Sequence, residues 1–316
     1  MIRETGDKIS FRGDKNLHAG DCNGCAVCLL SCPVWKQSND QILTFCGRMR
    51  AMQGGAGLEE LAASVNSCTL CGSCEPVCSY GVESVMRTVD MRALLRADNS
   101  VSEPQGHRKA MATGRVLLAN PMLIAEKGLL EKTLTVLDGV TLFEDNGDDI
   151  SEAMETGRRI DISRISRFML SLRGASEVII TDGLLYRLIR NLSPETRTVS
   201  LGEALLGVQK IVQQLGPEDM YIIDARAYNS DHIRLVGFYD NIFKMTGSLT
   251  NLDLHRVAIP TGVSLHSPST VVDPVSQAEW ILKGRSVDRI IVERLEDMAP
   301  FRSATDVPVV FLADLG

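Results

Sequence analysis

The sequence has no cysteine after residue 78, although nine cysteines lie between residues 22 and 78 inclusive. It also has no apolar run of the ~20 residues that a membrane-spanning helix needs, and its first residues, Met1–Asp7, lack the apolar core of an export signal. We therefore expect a cytoplasmic protein with no membrane span of its own, in which any association with a membrane comes through a partner.

An excess of basic residues is missing as well. Lys and Arg number 33 against 40 for Asp and Glu, which gives a formal net charge of −7. Because nucleic-acid-binding proteins present a basic surface, this balance argues against a nucleic-acid partner. The sequence also lacks a Gly-x-Gly-x-x-Gly fingerprint and a Gly-x-Ser-x-Gly motif. A self-contained nicotinamide or flavin site and a serine nucleophile therefore have no support.

Eight of the nine cysteines form two runs with the same spacing, C-x2-C-x2-C-x3-C. The first run consists of Cys22, Cys25, Cys28 and Cys32, and the second of Cys68, Cys71, Cys74 and Cys78. This spacing is typical of proteins that hold cubane iron–sulfur clusters, and in two-cluster ferredoxins the fourth cysteine of each run binds the other cluster. We therefore predict two [4Fe-4S] clusters. The expected ligands are Cys22, Cys25, Cys28 and Cys78 for the first cluster, and Cys68, Cys71, Cys74 and Cys32 for the second.

Zinc, disulfide bonds and simple burial fit the cysteine pattern less well. Zinc sites use two separated C-x2–4-C pairs, a disulfide framework suits a short secreted chain with an even cysteine count, and buried structural cysteines would not repeat one spacing twice. The ninth cysteine, Cys46, lies on the apolar side of a predicted helix and is expected to be a buried core residue. His232, His255 and His266 have no tight ligand spacing, so a metal site is not expected among them.

The pattern of apolar residues divides the chain into four predicted segments. Helical periodicity around the cysteine runs, at residues 39–52, 57–66 and 82–96, indicates an all-α module, and a polar stretch with Pro104 and Gly106 follows it. The segments are an N-terminal arm (1–20, with a strand at Lys8–Arg12), an α-helical two-cluster domain (21–98), a linker (99–113) and an α/β domain (114–316).

Apolar runs alternate with helical stretches from Gly114 onward, which is typical of an α/β domain with a largely parallel sheet. Residues 167–181 resemble residues 279–293, and each segment is a predicted helix, a charged turn and a buried strand. This weak repeat predicts two related lobes. The predicted strands are Arg115–Ala119, Val140–Glu144, Val178–Thr181, Tyr221–Asp224, Arg289–Val292 and Val309–Leu312. The predicted helices are Asp161–Arg173, Leu184–Leu192, Leu201–Leu215, His232–Thr246 and Val275–Gly284.

The cysteine-bearing segment, from about residue 18 to residue 98, resembles the iron–sulfur subunits of the heterodisulfide reductase family and their relatives in glycolate, lactate and glycerol-3-phosphate oxidation. The likeness includes Pro33 directly after the first run. In those proteins the ferredoxin module is a separate subunit or is followed by a cysteine-rich "CCG" domain of two lobes. Residues 178–181 and 221–227 are similar to strands of that domain, but every cysteine is missing.

The resemblance implies an α+β fold, with an all-α two-cluster ferredoxin module followed by an α/β domain of two CCG-like lobes. Without thiolates this domain cannot hold the metal centre of its relatives, so a scaffold or docking role is expected. The alternative is an unrelated α/β domain whose similarity is due to chance.

The same resemblance implies an electron-transfer subunit of a multi-subunit redox complex, with no catalytic residues of its own. It would relay electrons between a flavin- or metal-containing partner of the dehydrogenase or hydrogenase type and an acceptor, such as a membrane quinone-reactive subunit. One alternative is a catalytic thiol or disulfide reductase, which the missing cysteines disfavour. The other is a docking protein in which the clusters only stabilise the structure.

Overall fold

The computed structural model describes residues 22–96 and 110–316, and the statements that follow concern these residues. The predicted N-terminal arm with its strand at Lys8–Arg12 lies outside the described residues, as does most of the predicted linker. Within the two described ranges, no helix has both the length and the apolar character needed to cross a bilayer.

The cysteine-bearing part of the chain is helical, as predicted. Its helices are α1 (Pro33–Ser38), α2 (Phe45–Gln53), α3 (Ala62–Ser67) and α4 (Ser84–Leu95), with short 3-10 helices at Val27–Ser31, Gln41–Leu43 and Glu59–Leu61. The helix predicted over residues 39–52 begins only at Phe45, because Thr44 is extended and its hydroxyl accepts the Gly47 N–H as an N-cap. The helix predicted over residues 57–66 is likewise divided into a 3-10 turn and α3.

The second part of the chain contains two four-stranded parallel sheets, with strand orders β2-β1-β3-β4 and β6-β5-β7-β8. The strands are β1 (Gly114–Leu118), β2 (Val140–Leu142), β3 (Ala175–Ile180), β4 (Thr198–Ser200), β5 (Asp219–Ile222), β6 (Leu249–Thr250), β7 (Arg289–Val292) and β8 (Val309–Phe311). Together with the helical cysteine-bearing part, these sheets confirm the α+β class.

Helices connect the strands of both sheets. They are α5 (Pro121–Ala125), α6 (Lys127–Leu137), α7 (Asp148–Thr156), α8 (Ile162–Leu172), α9 (Gly183–Leu192), α10 (Leu201–Leu206), α11 (Gln209–Val212), α12 (Ala225–Ser230), α13 (His232–Thr246), α14 (Pro274–Leu282) and α15 (Met298–Ala304). The prediction of one helix over Leu201–Leu215 is wrong. Gly207 follows α10 and Val208 is extended, so α10 and α11 are separate helices.

The internal repeat falls on equivalent elements of the two sheets. Its copies contain α8 with β3 and α14 with β7, and both strands occupy the third position of their sheet. The sequence did not predict the edge strands β4 and β6, because each contains a single apolar residue, Val199 or Leu249, and so forms no apolar run.

The first sheet packs on both faces, because successive side chains of a strand point to opposite sides. Leu117 and Ile179 face a core shared with the second sheet. Val116 and Ile180 face a second core that also contains Leu70, from the second cysteine run, together with Val85 and Val89 of α4. The helical module and the first sheet are therefore joined by one continuous apolar core.

The carboxyl ends of the two sheets face each other. The Asn120 side chain, which follows β1, donates to Glu296, which follows β7. A Cβ at Gly183, at the start of α9, would lie 2.3 Å from the Cβ of Arg226 in α12. The helices that follow β3 and β5 thus meet at the junction of strand ends, which is where α/β folds commonly place sites.

Candidate functional site

The two cysteine runs fold into loops with the same backbone pattern. In the first loop Gly24 and Ala26 have positive φ angles of 78° and 63°, and in the second loop Leu70 and Gly72 have 53° and 71°. These residues stand at the same two positions relative to the first cysteine of each run. Alternating left-handed and right-handed residues turn successive N–H groups toward one side, which forms an anion-binding concavity of the kind found at iron–sulfur sites.

Leu70 shows how strongly this backbone is determined. A bulky residue with positive φ is strained by about 1–3 kcal/mol, and Leu70 is only 1% exposed. Its burial in the core beneath the first sheet offsets this strain. The second loop is therefore fixed by packing as well as by its ligands.

The cysteines line two adjoining cavities that combine the runs in a crossed manner. One cavity is lined by Cys22, Cys25 and Cys28 of the first run and by Cys78 of the second, together with Cys46 and Cys74. The other is lined by Cys68, Cys71 and Cys74 of the second run and by Cys32 of the first, together with Cys28 and Cys46. We refer to them as the first and second cavity. Each predicted set of four cysteines is thus brought together around one cavity.

The polar groups around the cysteines suit an anionic cluster. The Cys32 sulfur accepts the N–H groups of Val34 and Trp35, and the Ser73 hydroxyl donates to the Cys71 sulfur at 3.3 Å. Thr69 lines the second cavity, and its buried hydroxyl has no partner of good hydrogen-bond geometry among the described residues. A cluster in this cavity would supply acceptor sulfurs for such donors, so the residues present fit the predicted group.

Burial also bears on the protonation of the thiols. Burial raises the pKa of Cys28 and of Cys32 to about 12 each. Iron binds thiolates, so loading these cavities must release protons, and the charge of the metal has to offset the cost of burying the anions. In the described residues, no group of three or more Cys, His, Asp or Glu side chains is arranged to hold a single metal ion.

The α/β part of the chain makes direct contacts with the second loop. Arg226 of α12 donates to the Thr69 carbonyl at 3.0 Å, and the Asn229 amide donates to the Cys71 carbonyl at 3.1 Å. Arg187 of α9 forms an ion pair of 2.6 Å with Glu75. These contacts place the second cavity beside the junction of the strand ends.

Two buried arginines of the helical module have no carboxylate partner among the described residues. Arg92 of α4 is 3% exposed and donates to the carbonyls of Cys68 and Glu155. Arg48 of α2 is 0% exposed and donates to Ser64 and Thr88, while its Nε has no partner there. Buried charges are normally paired, so an anionic group close to these side chains is chemically appropriate.

Cys46 is a buried core residue, as predicted, and two of the histidines form hydrogen bonds with other residues. Cys46 is 0% exposed and borders both cavities. His266 hydrogen-bonds Asp148 at 3.1 Å, and the His232 ring hydrogen-bonds the Arg256 carbonyl.

Comparison with known proteins supports the prediction that the cysteine-bearing module binds iron–sulfur clusters. Residues 18–82, which contain all the cysteines of both runs, match a protein family described as the 4Fe-4S dicluster domain. The match identifies an iron–sulfur, ferredoxin-type module and supports a role in electron transfer. No curated protein and no solved structure matches the chain. The α/β part of the chain lies outside the matched residues.

Sequence reasoning missed the side chains that surround the second loop. Arg187 and Asn229 lie far beyond the last cysteine in the chain, and Arg92, on the helix that follows the second run, belongs to no ligand motif. The one sequence signal in this region is the run of polar side chains Asp224, Arg226 and Asn229 shortly after β5. Its contacts with the loop depend on the tertiary structure.

Proposed function

We propose that the chain is an electron-transfer subunit with two [4Fe-4S] clusters that works within a multi-subunit redox complex. In this proposal Cys22, Cys25, Cys28 and Cys78 hold the cluster of the first cavity, and Cys68, Cys71, Cys74 and Cys32 hold that of the second. When bound, such a cluster accepts and releases single electrons at a potential set by its surroundings.

The crossed lining of the two cavities carries this proposal. Cys32 directly precedes α1 and turns away from its own loop to the second cavity, while Cys78 reaches the first. Cys28 and Cys74 each border both cavities, so the two sets of ligands adjoin. Because only side chains separate the two cavities, clusters bound in them would exchange electrons readily within the chain.

The side chains at the first cavity support an exchange of electrons with a partner. Cys25 and Tyr80, which line this cavity, are both exposed, Tyr80 to 60%. Leu30, near the end of the first cysteine loop, is 59% exposed. Aromatic and aliphatic side chains are common in protein interfaces. We infer that a flavin- or metal-containing partner approaches this loop and that a quinone-linked or other carrier completes the chain.

The α/β part would then serve as the scaffold of the second cavity. Arg226, Asn229 and Arg187 hold the loop through its carbonyl groups and Glu75. This role agrees with the proposed relationship to the iron–sulfur subunits of the heterodisulfide reductase family, in which the chain would have kept a two-lobed domain without its thiolates.

Ligand substitution tests the assignment of the cysteines. The protein is produced anaerobically, and its iron, sulfide and EPR spectrum are measured. Cys28→Ala and Cys78→Ala are expected to disturb the same cluster, while Cys71→Ala disturbs the other. The matched control is Cys46→Ala, which removes a buried cysteine outside both ligand sets and should keep both clusters. If Cys78→Ala disturbs the signal that Cys71→Ala disturbs, the crossed assignment is wrong. A native preparation without iron would refute the proposal as a whole.

A structural role for the clusters is the second candidate. The ties between the second loop and the α/β part favour it, because a cluster there would also fasten the two parts together. Redox titration separates the two functions. Reversible reduction and electron exchange with a partner support electron transfer, whereas clusters that stay inert across the physiological range support a docking protein.

A further inference from the structure

The two cavities differ in the charge that is buried around them. Beside the second cavity, Arg92 lies 3% exposed, donates to the Cys68 carbonyl and forms no ion pair with any described carboxylate. The other two arginines at this loop do form ion pairs, Arg226 with Glu155 and Arg187 with Glu75. Of these three buried arginines, Arg92 is therefore the one whose charge is not compensated by an ion pair.

The first loop has a cation of a different kind. The Arg50 side chain packs against Gly24, where an added Cβ would lie 2.7 Å from its Cδ. Arg50 is exposed and its guanidinium donates to Gln53. Water and salt screen an exposed charge much more than a buried one, so Arg50 acts weakly on its surroundings.

Hydrogen bonds to sulfur follow the same asymmetry. The Ser73 hydroxyl donates to Cys71 at the second cavity, and the hydroxyl of Ser84, which borders both cavities, lies 2.8 Å from the Cys74 sulfur. For the sulfurs of Cys22, Cys25 and Cys78, the structure gives no hydroxyl partner among the described residues. Donors of this kind stabilise the more negative, reduced form of a cluster.

Desolvation acts in the opposite direction. Reduction adds negative charge, and burial disfavours added charge unless it is compensated. At the second cavity the compensation is already in place, because the fold holds there a guanidinium without an ion pair and the hydroxyl of Ser73, which donates to Cys71. The cost of burying Arg92 without a carboxylate is lowered each time negative charge is added nearby.

We propose that Arg92 raises the reduction potential of the cluster at the second cavity above that of the cluster at the first, so that a single added electron resides at the second cavity. This inference rests on the proposed function, since it assumes that both cavities are loaded. It makes the second cavity the internal electron store and the exposed first cavity the point of exchange. Arg92 is a positioning residue that acts through the backbone of Cys68.

Stepwise reduction of the loaded protein with dithionite, followed by EPR, tests the order of the potentials. We expect the signal that is altered by Cys71→Ala to develop first, and the signal altered by Cys25→Ala to develop second. Arg92→Gln should lower the reduced-to-oxidised ratio of the second-cavity cluster at least tenfold at a fixed potential, which is about 59 mV for a one-electron couple. Arg92→Lys retains the charge and should restore most of this ratio.

Arg50→Gln is the matched control, because it removes a cation beside the other loop. It should change neither potential by as much as a tenfold ratio. The inference is overturned if the first-cavity signal develops first, if Arg92→Gln leaves the second potential unchanged, or if Arg50→Gln has an equal effect.

If Arg92→Gln fails to fold, Arg92→Met takes its place, because it also removes the charge and keeps an unbranched side chain in the buried position. A lower second-cavity potential supports the inference and an unchanged one overturns it. Iron and sulfide contents, measured on every sample, keep this result separate from the proposed function. Two loaded clusters with the reverse order of potentials would refute only the role of Arg92.

Discussion

The ion pair between Arg226 and Glu155 allows a quantitative test of how the two parts of the chain are held together. Arg226 lies in α12, which follows β5 of the second sheet, and Glu155 lies in α7, between β2 and β3 of the first sheet. Both are buried, at 5% and 1% exposure. The perturbation is Arg226→Met, which leaves Glu155 without its counter-charge and Thr69 without a donor.

The structure gives the expected magnitude. Burial alone would raise the pKa of Glu155, but Arg226 and hydrogen bonds from Ser264 and His266 lower it from 4.5 to about 2. A difference of about 2.5 pKa units corresponds to about 3 kcal/mol of stability. Removal of one partner of a buried ion pair typically costs about 3–5 kcal/mol, so Arg226→Met should lower the free energy of unfolding by about 3 kcal/mol.

The sign of the pH dependence follows from the same shift. The pKa of Glu155 is depressed in the folded chain, so its contribution is present above the unfolded pKa near 4.5 and is lost as the pH falls toward 2. Denaturant unfolding at pH 7, followed by far-ultraviolet circular dichroism on the anaerobic loaded protein, measures the loss without entering the acid range where the clusters themselves would be attacked.

A double variant identifies the cause of the loss. Glu155→Gln keeps an acceptor for Ser264 and His266 but removes the charge, so adding it to Arg226→Met should recover more than half of the lost stability. The reasoning is refuted if Arg226→Met costs less than about 1 kcal/mol, or if Glu155→Gln is as harmful in the Arg226→Met background as in the native chain.

Two further predictions concern single residues. Burial raises the pKa of Glu293 to about 7, although hydrogen bonds from Asp224, Tyr239 and Tyr221 oppose this shift. The contribution of Glu293 to stability is therefore complete below pH 4.5 and is lost as the pH rises through 7, by about 1 kcal/mol between pH 6 and 8. Glu293→Gln should flatten this slope and remove a protonated-carboxyl band from infrared difference spectra, whereas an unchanged slope would show that Glu293 is already ionised at pH 6. Gly72→Ala should destabilise the protein by about 1–3 kcal/mol more than Gly81→Ala. Both glycines have positive φ, but only a Cβ at residue 72 would meet a side chain, the Arg187 guanidinium at 2.9 Å. Equal melting temperatures for the two variants would contradict this contact.

The cysteine spacing could predict the candidate ligands because each cysteine loop is formed by residues close together in the chain. Positions two and three residues apart determine which sulfurs can line one cavity, and the same spacing occurs twice in the chain. The strands β5 and β7 could likewise be predicted from short apolar runs, since buried parallel strands lack alternation. The repeat from Arg167 and Glu279 was recognisable because both copies keep a helix, a turn and a buried strand in register.

The surroundings of the second cavity could not be predicted in this way. Arg92 resembles any helical arginine in the sequence, and only the fold shows that it is buried beside Cys68. Arg187 and Asn229 reach the loop because α9 and α12 begin at adjacent strand ends. Such contacts depend on the relative placement of distant elements, and no spacing rule encodes them.

In the proposed function, the position of the second cavity would let the α/β part influence electron transfer without thiolates of its own. Carboxyl ends of parallel strands gather polar side chains and helix starts, which ordinarily receive a ligand. Here the helices that begin at those ends direct Arg187, Arg226 and Asn229 to the second cysteine loop. The loop thus takes the place that a ligand would take, and the strand-end side chains act on the electrostatics of the module. Substitutions in the α/β part should therefore change the properties of the second cavity before those of the first.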